Sequence, residues 1–213
     1  SGLIGLGGVV LDGDDLWWTE ARSSEGGRVV VVHQRADGTV EDVFSDPYNA
    51  RSRVHEYGGG AVTIAGDVVF FVDFRDQVIH RVKPGEPPEP LTEVRPWRFA
   101  SIVPDDRREC LIALRESHGE AGQPTNEIVA IPLDGEPVRV LASGHDFYGA
   151  PKLSPDGGAL VWLTWDLPAM PWDATTLWRA EFLSDGSLGE PAAVAGGIGE
   201  AVFQPEFAPD GTL

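Results

Sequence analysis

The chain has 213 residues and a formal net charge of −18, and 42% of its residues are hydrophobic. This composition is typical of a globular protein and excludes a largely disordered chain. The strong negative charge repels phosphate backbones, so we expect no nucleic-acid partner, whereas a cationic peptide or a basic protein surface would be attracted.

No apolar run is long enough to cross a membrane as a helix, so we expect no membrane partner and a cytoplasmic protein. Export stays open as an alternative because the chain does not begin with Met. Cys110 is the only cysteine, which rules out an intrachain disulfide. Its place in the apolar run 110–114 predicts a small buried core residue.

Four repeats follow one another along the chain, at about 1–56, 57–99, 100–149 and 150–203. In each repeat the sequence predicts a first strand that ends in an acidic turn, and these turns lie at 12–15, 66–67, 104–106 and 154–157. An apolar second strand follows at 16–18, 68–71, 111–114 and 160–163. Third strands are predicted at 29–33, 77–83, 127–132 and 176–182. Poorer fourth strands are predicted near 43–44, 90–91, 138–141 and 192–194.

Equivalent third-strand residues recur at nearly constant spacing: Val31, Ile79, Val129 and Trp178 are 48, 50 and 49 residues apart. Units of about 50 residues with four strands are typical of β-propeller blades. The sequence therefore predicts an all-β protein with about four four-stranded antiparallel blades. The segment 204–213 repeats the start of a blade, so we expect a larger propeller of six to eight blades.

Catalytic and cofactor motifs are absent from the sequence. It contains no Gly-x-Ser-x-Gly nucleophile turn, no phosphate-binding loop and no dinucleotide-binding glycine pattern. The five histidines show no spacing typical of metal ligands. We therefore predict no catalytic residue, metal or cofactor in this chain, and its oligomeric state stays open.

The first candidate site precedes the second repeat, where Arg51, Arg53, His55, Glu56 and Tyr57 lead into three glycines at 58–60. The glycines allow positive φ angles or a close approach of backbones in this turn. One interpretation is that these polar side chains only satisfy one another and the nearby backbone. The other is that they face the mouth of the propeller channel and contact a substrate or a partner domain.

The second candidate site is the stiff loop 165–173, which contains two prolines. Its candidate residues are Trp165, Asp166, Trp172 and Asp173. Exposed Trp next to Pro is typical of a recognition surface, but both indoles could equally fold back onto the blade. The polar stretch 116–126 of the third repeat is predicted to be a mobile rim loop.

Three strings carry a resemblance to a known family: Val-His-Glu-Tyr-Gly-Gly-Gly at 54–60, Leu-Ser-Pro-Asp-Gly at 153–157, and the Met-Pro-Trp-Asp core at 170–173. Together with the repeats, they resemble the N-terminal propeller region of the prolyl oligopeptidase family of serine peptidases. The similarity is strongest to the dipeptidyl aminopeptidase and acylaminoacyl-peptidase-like branch. The Ser-Pro-Asp-Gly turn alone is weak, since TolB-like propellers share it.

The resemblance implies that a C-terminal α/β-hydrolase domain with a Ser-Asp-His triad completes the protein, and that the propeller admits short peptides to it. No triad residue can be placed on this chain. The partners expected on this basis are a peptide substrate and the hydrolase domain. The alternative is a non-enzymatic, TolB-like propeller that binds a protein or a carbohydrate.

Overall fold

The computed structural model of the chain describes residues 2–119 and 122–213. Within these residues the chain forms sixteen β-strands in four separate four-stranded sheets, with no α-helix. Consecutive strands are neighbours in every sheet, and the paired strands are antiparallel. The predicted repeat of four-stranded antiparallel units is therefore confirmed.

The chain divides into two compact units, residues 1–100 and 101–213. The first sheet consists of β1 (Ile4–Asp12), β2 (Asp15–Arg22), β3 (Arg28–Gln34) and β4 (Val40–Asp42). The second consists of β5 (Val62–Ala65), β6 (Val68–Val72), β7 (Ile79–Val82) and β8 (Glu89–Pro90). A single-turn 3-10 helix covers Ser23–Glu25, and a second short turn at Val54–Glu56 contains His55 with a non-helical backbone.

The third sheet consists of β9 (Trp97–Asp105), β10 (Cys110–Ser117), β11 (Thr125–Pro132) and β12 (Arg139–Ala142). The fourth consists of β13 (Phe147–Leu153), β14 (Ala159–Trp165), β15 (Thr175–Glu181) and β16 (Ala192–Gly197). In both sheets the second strand is almost completely buried, because its run of apolar residues is covered on both faces. None of the helices in the described part of the chain has the length and apolar character needed to span a membrane.

The core of the first unit is an apolar cluster shared by the first two sheets. Trp17 and Val31 come from the first sheet, and Phe71 comes from the second. Val43 and Phe44 belong to the same cluster, so the fourth strand predicted at 43–44 is wrong in position. β4 ends one residue earlier, because the chain turns inward there to bury these two side chains.

Cys110 begins β10 and is 2% exposed, which confirms that it is a buried core residue. Burial disfavours the thiolate and raises the pKa of Cys110 to about 11. The thiol is therefore unreactive at neutral pH.

The stretch 116–126 is not a loop throughout. β10 continues to Ser117 and β11 begins at Thr125, with Glu116 paired to Asn126 across the two strands. Both of these polar side chains are buried because they have hydrogen-bond partners: Glu116 contacts His118 at 2.6 Å, and the Asn126 amide donates to the Asp146 carbonyl at 2.8 Å. The prediction of a rim loop is thus wrong at both ends, and residues 120 and 121 lie outside the described part of the chain.

Candidate functional site

The segment 49–61 connects β4 to β5 and carries the first set of candidate residues. Backbone hydrogen bonds fix both of its ends to the β6–β7 hairpin. The Phe74 N–H donates to the Asn49 carbonyl at 2.8 Å, and the Val72 N–H donates to the Ala61 carbonyl at 2.9 Å. The buried Asp73 carboxylate accepts the Asn49 N–H at 3.0 Å. The segment is therefore held against the hairpin at each end.

Gln77, which is buried at 6% exposure, fixes the middle of the segment. Its side-chain carbonyl accepts the Arg53 N–H at 2.7 Å, and its amide group donates to the carbonyls of Phe74 at 3.1 Å and Arg51 at 3.4 Å. Gln77 has a left-handed backbone, with φ of 59°, which directs its side chain back toward the segment. One buried amide thus ties the backbone of both arginines to the hairpin.

The guanidinium groups of Arg51 and Arg53 both stack on the ring of Phe74, in the β6–β7 turn. Their central carbons lie 4.7 and 4.2 Å from the ring centroid, which is the geometry of cation–π contacts. Arg51 is exposed and Arg53 is half-buried. Two of the five predicted residues are thus brought together on a ring that the sequence did not single out.

The next residues adopt an unusual backbone. His55 and Glu56 have φ angles of 52° and 63°, and all three of the following glycines also have positive φ. A Cβ added at Gly58, which has φ of 72°, would overlap the backbone carbonyl of Ser52. Non-glycine residues held in the left-handed region are strained and are found preferentially at functional sites. The sequence-based expectation of positive φ at the glycines is confirmed.

Side-chain contacts hold part of this turn and leave another part exposed. The Glu56 carboxylate pairs with Arg98 at 2.5 Å, and Arg98 also donates to the Arg53 carbonyl at 2.9 Å. Ser52 is buried and its hydroxyl donates to the Phe99 carbonyl at 2.5 Å. Tyr57, in contrast, is 88% exposed. Glu56 therefore braces the turn, whereas Tyr57 is available for contact with another molecule.

A cavity of about 300 Å³ lies beside this segment within the first unit. Arg51, Tyr57, Gly59 and Gly60 line one part of it, and Thr19 of β2 lies on its wall. The cavity is at the small end of the range for small-molecule sites. Its volume is enough for a small ligand.

Close to this segment, Asp73, Asp76 and His80 place potential metal-ligand atoms within 4.8 Å of one another. The Asp73 carboxylate is already paired with the Arg75 guanidinium at 2.7 Å. A metal ion here would also approach the two arginines on Phe74, the neighbour of Asp73. We therefore interpret these three residues as part of the structural framework of the hairpin.

The loop 165–173 belongs to the second unit, and its two indoles differ in environment. Trp165 stacks on Phe147, with ring centroids 5.3 Å apart and the planes within 8°. Trp172 is 69% exposed. The two interpretations that the sequence left open therefore each describe one indole: Trp165 folds back onto its blade, and Trp172 lies on the surface.

The two acidic residues of this loop hold its backbone. Asp166 accepts the Asp146 N–H at 2.7 Å and contacts the His145 imidazole at 2.8 Å. Partial burial raises the pKa of Asp166, but these hydrogen bonds outweigh it and hold the pKa below its ordinary value. Asp173 accepts the Met170 N–H at 3.1 Å. Both carboxylates therefore serve the shape of the loop.

No family model matches the chain, and no curated protein matches it. Among solved structures, puromycin hydrolase is 35% identical, with a TM-score of 0.89 over 97% of this chain and 34% of its own. A puromycin-hydrolyzing peptidase from Mycobacterium tuberculosis is 35% identical, with a TM-score of 0.84 over 92% of this chain and 33% of its own. The chain belongs to the prolyl oligopeptidase family.

The chain corresponds to part of the N-terminal propeller region of this prolyl oligopeptidase family, and its four sheets are blades of that propeller. It spans about a third of the length of the puromycin hydrolase structures. A mutant of puromycin hydrolase has been solved in complex with PGG. TolB from Acinetobacter baumannii shares the fold, with 14% identity and a TM-score of 0.54 over 88% of this chain and 42% of its own.

Proposed function

We propose that this chain is the non-catalytic propeller part of a serine exo- or oligopeptidase, in which it admits short peptides to a separate α/β-hydrolase domain and excludes folded proteins. The observation that carries the proposal is the 35% identity to puromycin hydrolase over 97% of the chain. The sequence contains no nucleophile turn, so the chemistry belongs to the other domain. No metal or cofactor is required for it.

The geometry of the segment 49–61 supports a role in contacting a peptide. Its backbone is fixed by Gln77 and the β6–β7 hairpin, while Arg51 and Tyr57 stay exposed beside a cavity. A fixed backbone next to a small cavity loses little conformational entropy when a ligand binds. The PGG complex of the puromycin hydrolase mutant supports a peptide as the ligand class.

We place the full-length protein in the dipeptidyl aminopeptidase or acylaminoacyl-peptidase-like branch, and in the cytoplasm. The strings at 54–60 and 170–173 support the assignment to this branch. The likeness to TolB is one of fold only.

The test is to express the full-length protein and to assay aminoacyl and acyl-aminoacyl p-nitroanilides together with puromycin. We expect hydrolysis of at least one of these substrates, and its loss after treatment with a covalent serine-peptidase inhibitor. The 213-residue chain alone is the matched control and should show no turnover. A full-length protein without hydrolase activity would reject the proposal and favour a binding propeller.

A further inference from the structure

Arg51 and Arg53 are set apart by their electrostatic surroundings. Most other arginines of the described chain pair with carboxylates, as Arg22 does with Asp42 at 2.6 Å and Arg108 with Asp105 at 2.7 Å. Among the described residues, no carboxylate lies within ion-pair distance of Arg51 or Arg53. In a chain with a net charge of −18, two neighbouring cations without an acidic partner are an exception that needs a reason.

The two guanidinium groups are also close to each other. Both stack on the ring of Phe74, at 4.7 and 4.2 Å from its centroid, so at most about 9 Å separates their central carbons. Two cations on one ring raise the local positive potential, which favours an anion beside them. Guanidinium groups bind carboxylates through charge-assisted, often bidentate hydrogen bonds.

The backbone of this pair is fixed before any ligand arrives. Gln77 accepts the Arg53 N–H and donates to the Arg51 carbonyl, and Ser52, between the arginines, is buried and hydrogen-bonded to the Phe99 carbonyl. Stacking on Phe74 further restricts the two side chains. A site that is fixed in advance binds its ligand at a lower entropic cost.

We infer that Arg51 and Arg53, stacked on Phe74, bind the C-terminal carboxylate of a short peptide whose end occupies the neighbouring cavity. The cavity of about 300 Å³ is lined by Arg51, although not by Arg53 or Phe74, so a carboxylate bound by the pair would lie at the edge of the cavity. The acidic remainder of the chain attracts the amino terminus of the same peptide. This inference rests on the proposed function, because it names the chemistry of the substrate.

The test compares trialanine with trialanine amide, which differ only in the C-terminal charge. Binding of each to the full-length protein is measured by isothermal titration in the cold, and mass spectrometry follows whether the peptide stays intact. We expect the carboxylate form to bind at least about tenfold more tightly than the amide. If either peptide is hydrolysed, the two are compared by kcat/KM, with the same preference expected.

The Arg51→Gln/Arg53→Gln double variant should bind the two peptides equally. The matched control is Arg95→Gln, since Arg95 also lies over an aromatic ring, that of Trp97, but pairs with Glu93 at 2.6 Å. It should keep the preference for the carboxylate. Phe74→Leu leaves both charges in place but removes the stacking ring, and should reduce the preference without abolishing it. The thermal unfolding midpoint of each variant confirms that it is folded.

Equal binding of the two peptides by the wild-type protein, or binding of neither, would overturn the inference, as would a preference that survives the double substitution. The preference between the two peptides is a ratio of affinities, or of kcat/KM where a peptide is hydrolysed, so it is judged separately from whether the protein is a peptidase. A protein that prefers the carboxylate form but hydrolyses no substrate keeps the carboxylate site and rejects the peptidase. A protein that hydrolyses both forms with equal kcat/KM supports the peptidase function and rejects the carboxylate site.

Discussion

His80 on β7 shows how burial of one side chain makes stability depend on pH. It is 6% exposed and lies near the rings of Phe71 and Tyr48, each with its centroid 5.4 Å away. Burial lowers the pKa of His80 below its ordinary value of 6.5, since the charged imidazolium is poorly solvated there. The nearby Asp76, with a carboxylate oxygen 3.9 Å from the imidazole, offsets only part of this effect.

Proton binding by His80 sets the direction of the pH dependence. Below pH 6.5, His80 is protonated in the unfolded chain, whereas in the folded chain it binds the proton only at a lower pH. The free energy of unfolding therefore decreases as the pH falls below 6.5 toward the lowered pKa of the folded state. We expect His80→Phe to weaken this dependence between pH 7 and 5, because the ring remains and the titration is removed. Urea unfolding monitored by tryptophan fluorescence measures the free energy of unfolding of both proteins at each pH.

The control for this experiment is Ile79→Val in the same strand. Ile79 is fully buried and does not titrate, so its variant should lose about 1 kcal/mol at every pH. If His80→Phe follows the wild-type pH dependence over this range, the account of His80 is wrong.

At the scale of the element, the segment 49–61 depends on one glycine. A side chain at Gly58 meets two obstacles, a φ of 72° and the overlap of its Cβ with the Ser52 carbonyl. Gly13, in the turn between β1 and β2, has a similar φ of 59° but open space around its Cβ position. The two positions therefore separate the cost of the backbone angle from the cost of the overlap.

We expect Gly13→Ala to lower the free energy of unfolding by about 1–2 kcal/mol through its backbone angle alone. Gly58→Ala should cost more, since the segment must also move away from Ser52. It should in addition weaken peptide binding, which Gly13→Ala should leave unchanged. Equal costs in unfolding experiments, or equal binding by the two variants, would contradict this description of the turn.

The loop 165–173 allows a similar comparison of its two tryptophans. Trp165 stacks on Phe147, and Trp172 is 69% exposed. We expect Trp165→Ala to lower the free energy of unfolding by about 2–4 kcal/mol, and Trp172→Ala to change it by less than about 0.5 kcal/mol. Thermal or urea unfolding measures both. A larger loss for Trp172→Ala than for Trp165→Ala would mean that the loop is held in another way.

The elements also show which predictions the sequence can support. Strand positions followed from apolar runs and acidic turns, because these depend on residues close together in the chain. The stacking of Arg51 and Arg53 on Phe74 could not be predicted, since it depends on how the β6–β7 turn folds against a segment more than 20 residues earlier. Gln77 gave no signal, as its role requires a left-handed backbone and burial. Nor did the sequence distinguish Trp165 from Trp172, because the stacking of Trp165 depends on its pairing with Phe147 across β13 and β14.

At the scale of the whole molecule, the fold and the charge act together. Four antiparallel sheets form blades of the prolyl oligopeptidase propeller, and this chain contributes a net charge of −18. A negative surface attracts the amino terminus of a peptide over distances of about 8–10 Å at physiological salt. Within this field the two arginines on Phe74 form a local positive site. Under the inferred role, the two ends of a peptide are therefore treated differently.

The repeat was readable from the sequence because each blade has an acidic turn after its first strand, whereas the proposed gating role depends on a separate hydrolase domain. Gating is the part of the proposal that distinguishes a peptidase propeller from a propeller that only binds. Gating can also be tested without knowing which peptide bond the enzyme cleaves.

The most direct measurement compares one cleavable terminal sequence in two forms, as a free short peptide and fused to a stable folded protein. The full-length protein is incubated with each, and release of the terminal residues is followed by mass spectrometry. The account predicts cleavage of the free peptide and none of the fusion until the fused protein is unfolded. Cleavage of both forms at similar rates would contradict it.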